Sequence, residues 1–248
     1  MRQPPITRWF CDADRSAPAP PRRPAAHRPR FALSLHDDGT ALTAWKRRGY
    51  RTFCAQLAAE PLRAAALAHG HAGDIAVALA FPACVDLCAS GARWWKRKRA
   101  ANPNFQHDAI ERLRQTERLL RATKAPYAMF CPGTSLIKKM WKAPSAVISP
   151  HEYGGWLAEG QQHPLYPEVV PNRDAYHKRT YVFTGNGFVL PRRKPVAPVW
   201  ATVRRKGKLR RVSPLLVKRK HRNVRRLSPL GFLEAAARLH AGDDAAPR

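Results

Sequence analysis

The sequence predicts an α/β domain, a mostly parallel sheet with flanking helices and a small basic C-terminal elaboration. Three observations carry that reading. Phe31-Ala-Leu-Ser-Leu35 reads as a strand, His36 to Gly39 as a turn, Thr40 to Arg48 as a short helix ended by Gly49, and Arg51 to Leu57 as a second strand, which together make a βαβ unit. Ile75-Ala-Val-Ala-Leu-Ala80 is an uninterrupted apolar run of the length expected for a strand buried on both faces. Phe105, Ala109, Leu113, Thr116 and Leu120 recur at steps of three and four after Asn102-Pro103, the signature of a helix with one apolar face.

The remaining segments follow in order. Residues 1–30 are dominated by Pro, Arg and Ala, which forbids regular structure and supplies little to bury, so a basic arm is expected. It either touches phosphates or is a solvated tail. An α/β domain is expected over 31–190, with residues 60–73 helical. Pro82 cannot donate to a ladder and ends the Ile75 strand. Tyr127 to Cys131 reads as another short buried strand, stopped by Pro132, and 148–156 as a loop rich in Pro, His and Gly. Lys178 to Thr184 reads as a strand, Gly185-Asn-Gly187 as a hairpin turn and Phe188 to Leu190 as the returning strand. Residues 191–226 hold fifteen Lys or Arg and no Asp or Glu, a composition that is solvated or lies along a polyanion. Ser228-Pro229 reads as a helix start, so 227–240 is expected to be a helix packing back on the domain, with 241–248 a disordered tail.

Charge narrows the function. The net charge of +28 and a pI near 11.2 point to a polyanionic partner, most simply nucleic acid held by its phosphates. No apolar run approaches a membrane span, no signal peptide opens the chain, and no basic amphipathic helix offers an apolar anchor, so no membrane partner is expected. The five cysteines are odd in number and include no Cys-x-x-Cys pair, which argues against a disulfide framework and a zinc site and for a reduced cytoplasm. A monomer with no metal is expected.

Phe81-Pro-Ala-Cys-Val-Asp-Leu-Cys-Ala-Ser-Gly-Ala-Arg93 follows the Ile75 strand, so Cys84 falls on a loop at the carboxyl end, the edge of an open α/β sheet where ligands bind. This segment resembles the nucleophile segment of the cytosine-C5 DNA methyltransferases, in particular a compact branch common in bacteriophages and prophages. The likeness extends to Leu35-His-Asp-Asp-Gly-Thr40, Pro150-His-Glu-Tyr-Gly-Gly155, Arg173-Asp-Ala-Tyr176, Lys178-Arg-Thr180, Thr184-Gly-Asn-Gly-Phe188, Arg192-Arg-Lys-Pro195 and Ser228-Pro-Leu-Gly-Phe232, in that order over residues 31–240. The resemblance implies a Rossmann-like methyltransferase fold that uses S-adenosylmethionine, with Asp37, Gly39, Phe81 and Pro82 at the cofactor and Cys84 as the thiolate that adds to cytosine C6. It also implies double-stranded DNA with a flipped target base, in a bacterial or phage-infected cytoplasm.

Several positions depart from the family. Phe130-Cys-Pro132 stands where the resemblance calls for Glu-Asn-Pro, and a phenyl ring can neither donate a proton nor stabilise charge at cytosine N3. Ala55 stands where a carboxylate would meet the ribose, Thr40-Ala41 replaces a glycine, and Ala83 replaces a proline. An impaired enzyme and an inactive DNA-binding protein of prophage origin are therefore both expected outcomes. Asp86 and Glu152 are the nearby carboxylates that could replace the acid; both are more often plain loop residues. Cys88 and Cys131 are expected to be packing residues, although a Cys84/Cys131 pair across neighbouring strand ends is conceivable.

For DNA contact the sequence nominates Arg93, Lys96, Arg97 and Lys98 within Arg93-Trp-Trp-Lys-Arg-Lys-Arg99, where aromatics interleave with cations. The competing reading is an amphipathic helix start with Trp94 packed on the core. Lys178 and Arg179 match a basic family segment near the flipped base.

Overall fold

The computed structural model describes residues 31–35, 40–55, 61–205, 207–217, 224 and 227–241. One sheet is built from β1 (Phe31–Leu35), β2 (Arg51–Ala55), β3 (Ile75–Ala80), β4 (Tyr127–Pro132), β5 (Ala146–Ile148) and β6 (Thr180–Gly185), in the order β2-β1-β3-β4-β6-β5. The first four strands run parallel, and β6 lies antiparallel between β4 and β5. The expected α/β class with a mostly parallel sheet is what the structure has. No helix among the described residues is long and apolar enough to cross a membrane.

Side chains alternate across a strand, so each central strand feeds two cores. Leu33, Leu35, Ala78, Ala80, Met129 and Cys131 face α2 (Pro61–Gly70) and α4 (Phe105–Ala122). Ala32, Val77, Leu79, Ala128, Phe130 and Val182 face α1 (Thr43–Arg47) and α6 (Leu230–Ala241). The residues that predict α4, Phe105, Ala109, Leu113, Thr116 and Leu120, are all buried, with Ile110 and Glu117 beside them. Gly49 closes α1 with φ of +81°, a conformation open to glycine at no steric cost.

The hairpin expected at 178–190 is not formed. Residues 186–187 turn, but Phe188 to Leu190 returns as no strand, because both edges of β6 are already occupied, one by β4 and the other by β5. Phe188 instead leaves the sheet and packs beside Phe232 and the His240 ring. Beyond the predicted elements the structure has α5 (Ile137–Met140), β5 and α3 (Trp95–Ala101), the last where a helix is the competing reading, and the stretch expected as a loop over 148–156 is a 3-10 turn over Pro150–Trp156. Within the basic stretch, β7 (Ala201–Arg205) and β8 (Lys208–Val212) form a separate two-stranded antiparallel ribbon.

Helix α6 closes one face of the sheet, and polar contacts attach its first two turns. At its start, the backbone amide of Gly231 donates to Asp174 Oδ2 at 3.0 Å. A side chain at Gly231 would meet the Tyr153 carbonyl oxygen at 2.5 Å, so only glycine lets the helix sit this close to the 150–156 turn. One turn further on, buried Glu234 accepts hydrogen bonds from Arg47 at 2.7 Å, Arg48 at 2.8 Å and Arg238 at 3.2 Å. Burial works to raise the Glu234 carboxyl, but these guanidinium contacts outweigh it and hold it below the usual range.

Asp174 behaves oppositely. It is 2% exposed, and burial pushes its carboxyl up to about 6 despite the amides of Gly231 and Leu230 and the charge of Lys178. The native protein therefore holds a proton on Asp174 between pH 3.8 and about 6 that the unfolded chain releases, and stability falls as pH rises through that window. Chemical unfolding at pH 4, 5 and 6 should show this as a stability difference between the wild type and Asp174→Asn that changes by up to about 3 kcal/mol across the window. Parallel pH profiles for the two proteins would show that Asp174 does not titrate there.

Candidate functional site

The strand order reverses around β1, which has β2 on one side and β3 on the other, so the crevice of this sheet opens beyond the carboxyl ends of β1 and β3. Phe81 follows β3, and its backbone amide donates to the Leu35 carbonyl at 2.9 Å, holding the two strand ends together. The chain then turns through Pro82 and Ala83 to Cys84. The expected position of Cys84 on a loop at this edge is the observed one.

Its environment is not that of an activated thiol. Cys84 is 4% exposed, donates to the Pro82 carbonyl at 3.2 Å and packs among Leu87, Cys88, Cys131 and Ile137. A hydrogen bond shared with Cys131 is the main reason its thiol sits well above the ordinary range; burial and the nearby Cys131 charge act in the same direction. Cys88 is pushed up to about 12, chiefly by burial, then by Cys84 and Asp86. A thiolate is the nucleophilic form, and every surrounding influence opposes it.

Phe130 does not share this space. Strand alternation sends Cys131 to the Cys84 side of the sheet and Phe130 to the α6 side. There Phe130 stacks on Phe81 with centroids 4.8 Å apart and planes 5° apart, and meets the edge of Phe232 at 5.4 Å. The stack occupies one face of Phe81, one of the two residues on this loop expected to hold the cofactor.

Neither carboxylate nominated as a replacement acid is available. Asp86 pairs with Lys98 and, at 3.3 Å, with Arg112, and its backbone carbonyl accepts from Gln106. Asp86, Lys98 and Arg112 border a depression of about 280 Å³ between α3 and α4, lined also by Asn102, Phe105 and Asp108. Glu152 caps its own turn, accepting from the Ser149 amide at 2.7 Å, with Arg193 at 3.4 Å. Among the described residues, no group of three or more His, Cys, Asp or Glu could hold a metal ion.

Of the positions the resemblance assigns to S-adenosylmethionine, Phe81, Pro82 and Ala55 are among the described residues. Ala55, at the end of β2, is buried and offers only a methyl group where ribose hydroxyls need an acceptor. Asp37 and Gly39 lie outside the described residues.

The nominated basic residues divide into two groups. Arg93, Lys96, Arg97 and Arg179 are exposed. Arg93 and Arg97 lie 4.9 and 5.0 Å from the ring centre of Trp94, which is 42% exposed and so does not pack on the core as the competing reading had it. Trp95, the next residue, is the more buried of the two. Arg179 lies over the Tyr181 ring at 5.8 Å. The other two cations are committed to the fold. Lys98 is paired with Asp86. Lys178 turns inward, donates to the Leu227 carbonyl at 2.8 Å, and is lowered to about 8 by burial against the opposing pull of Asp174. A side chain that ties residue 227 to residue 178 is not presented to a flipped base.

What sequence reasoning missed is the ribbon β7–β8. The available signal was the alternation Ala-Thr-Val-Arg-Arg before Lys206-Gly207, where Gly207 has φ of +75°; the charge of the segment masked it. The chain matches no family model and no curated protein.

Thiol titration gives a direct check on the cysteine site. With an aromatic disulfide reagent on the native protein, Cys84→Ala should leave the fast-reacting thiols unchanged in number, since Cys84, Cys88 and Cys131 are buried and Cys54 is the more accessible thiol. A fast thiol that disappears in Cys84→Ala would mean that Cys84 is open and activated.

Proposed function

We propose that this chain is a double-stranded DNA-binding protein built on a methyltransferase-type α/β sheet, in which the Cys84 loop no longer carries out methyl transfer. The observation that carries the reading is an uncompensated cationic surface. Arg93, Lys96, Arg97, Arg179, Arg204, Lys208 and Arg210 are exposed, and among the described residues none of them pairs with a carboxylate. Forty-five Lys and Arg face only 17 Asp and Glu, and the best-buried acids are already used within the fold. Such a surface binds phosphates and releases condensed counterions.

A second reading is S-adenosylmethionine-dependent cytosine-C5 methylation through Cys84. The position of Cys84 at the carboxyl end of β3, beside the point where the strand order reverses, favours it. That reading needs cofactor contacts from residues 36–39 and an acid other than Phe130.

The two readings separate by salt and by mutation. Duplex DNA affinity should fall by about a thousandfold or more between about 50 and 200 mM monovalent salt, as expected for six or more phosphate contacts. Cys84→Ala should follow the same line. Affinity that is flat with salt, or that drops with Cys84→Ala, would contradict a phosphate-driven binder.

A further inference from the structure

The ribbon β7–β8 stands apart from the main sheet. An isolated two-stranded hairpin is marginal in water, so its root must be held. It is: the Val199 amide donates to the Ala175 carbonyl at 2.8 Å, and Trp200 stacks on His177 at 5.7 Å with Arg211 over its ring at 5.4 Å. Beyond this root, β8 is exposed on both faces. Lys208 and Arg210 stand on one, Leu209 and Arg211 on the other, with Arg204 in register opposite Leu209.

Leu209 is the unexplained residue. At 66% it is the most exposed large hydrophobic side chain among the described residues, close to the Gly207 turn and surrounded by cations. An ordinary apolar protein partner would have to strip water from Arg204 and Arg211, which share its face, to reach it, with no acid there to compensate. A membrane would need a broader apolar face than one leucine. Duplex DNA meets both requirements, with phosphates outside for the cations and an apolar base stack inside for the isobutyl group. Apolar wedges of this kind enter from the minor groove and unstack a base step. Two strands about 4.8 Å apart, with their side chains, overfill a groove about 6 Å wide, so entry requires the opening that a kink provides.

We propose that the ribbon Ala201–Val212 enters the minor groove of duplex DNA and inserts Leu209 between base pairs, bending the duplex. This rests on the duplex-binding reading above. The test is energy transfer between dyes at the two ends of a short duplex, measured with anisotropy on the same samples. The wild type should bind and raise the transfer. Leu209→Ala should lose the bend while its affinity stays within about tenfold, because the lost contact is offset by base unstacking no longer incurred. Netropsin, which fills the minor groove, should displace the ribbon and abolish the bend.

Leu209 is solvent-facing, so Leu209→Ala should melt with the wild type. Binding without bending, bending that survives Leu209→Ala, or competition by methyl green in place of netropsin would overturn the wedge while leaving DNA binding intact. Failure to bind duplex DNA at low salt, or preference for anionic phosphatidylglycerol vesicles or RNA, would overturn the binding reading and the wedge together.

Discussion

The contact on which most of this architecture depends is the buried carboxylate of Asp174 at the start of α6. It takes the backbone amide of Gly231, and Lys178 nearby supplies the opposite charge while holding the Leu227 carbonyl. Three consequences follow from one cluster. Helix α6 is fixed against the sheet, so Phe232 and Ala236 cover Val77, Leu79 and Phe130. The 150–156 turn is fixed under α6 by the close approach at Gly231. The basic excursion is pinned at both ends to the same short segment, by Ala175 at residue 199 and Lys178 at residue 227. Removing the Asp174 acceptor leaves the buried Gly231 amide unsatisfied, which costs about 1–3 kcal/mol, a sizeable part of a domain's net stability.

The same packing sets the surroundings of the loop after β3. Covering the α6 face demands apolar groups, and Phe130 supplies one by stacking between Phe81 and Phe232. On the other face, Cys84 lies beside Cys131 beneath α4 and α5, where burial and that neighbour favour its neutral thiol. A functional pocket would need polar groups from both strand ends converging on one space. Here the two ends meet in thiols on one side of the sheet, Cys84 with Cys131, and in rings on the other, Phe81 with Phe130.

The sheet was legible where periodicity and composition agree. The apolar run at 75–80 and the three-and-four spacing from Phe105 to Leu120 each respond to a single constraint, burial on two faces or on one. Phe188 to Leu190 was misread because a Gly-Asn-Gly turn specifies a reversal but cannot reveal that β6 already has two neighbours. The site was legible only in outline. Position along a strand predicts that Cys84 lies at the sheet edge, whereas the roles of Lys178 and Lys98 depend on partners 49 and 12 residues away. Taking the six nominated cations as a single nucleic-acid face therefore overcounts it, since Lys98 and Lys178 hold the fold together. The ribbon was hidden for the opposite reason, because a run of Lys and Arg reads as solvated chain whatever its backbone does.

The proposed activity is duplex binding without methylation. The direct test is tritium transfer from labelled S-adenosylmethionine to unmodified duplex DNA, at protein and DNA concentrations where the complex is saturated. Counts on DNA should match those of Cys84→Ala, with the DNA fully bound in both samples. Methyl incorporation into cytosine that disappears in Cys84→Ala would contradict the account and make the closed cysteine site a resting form of a working enzyme.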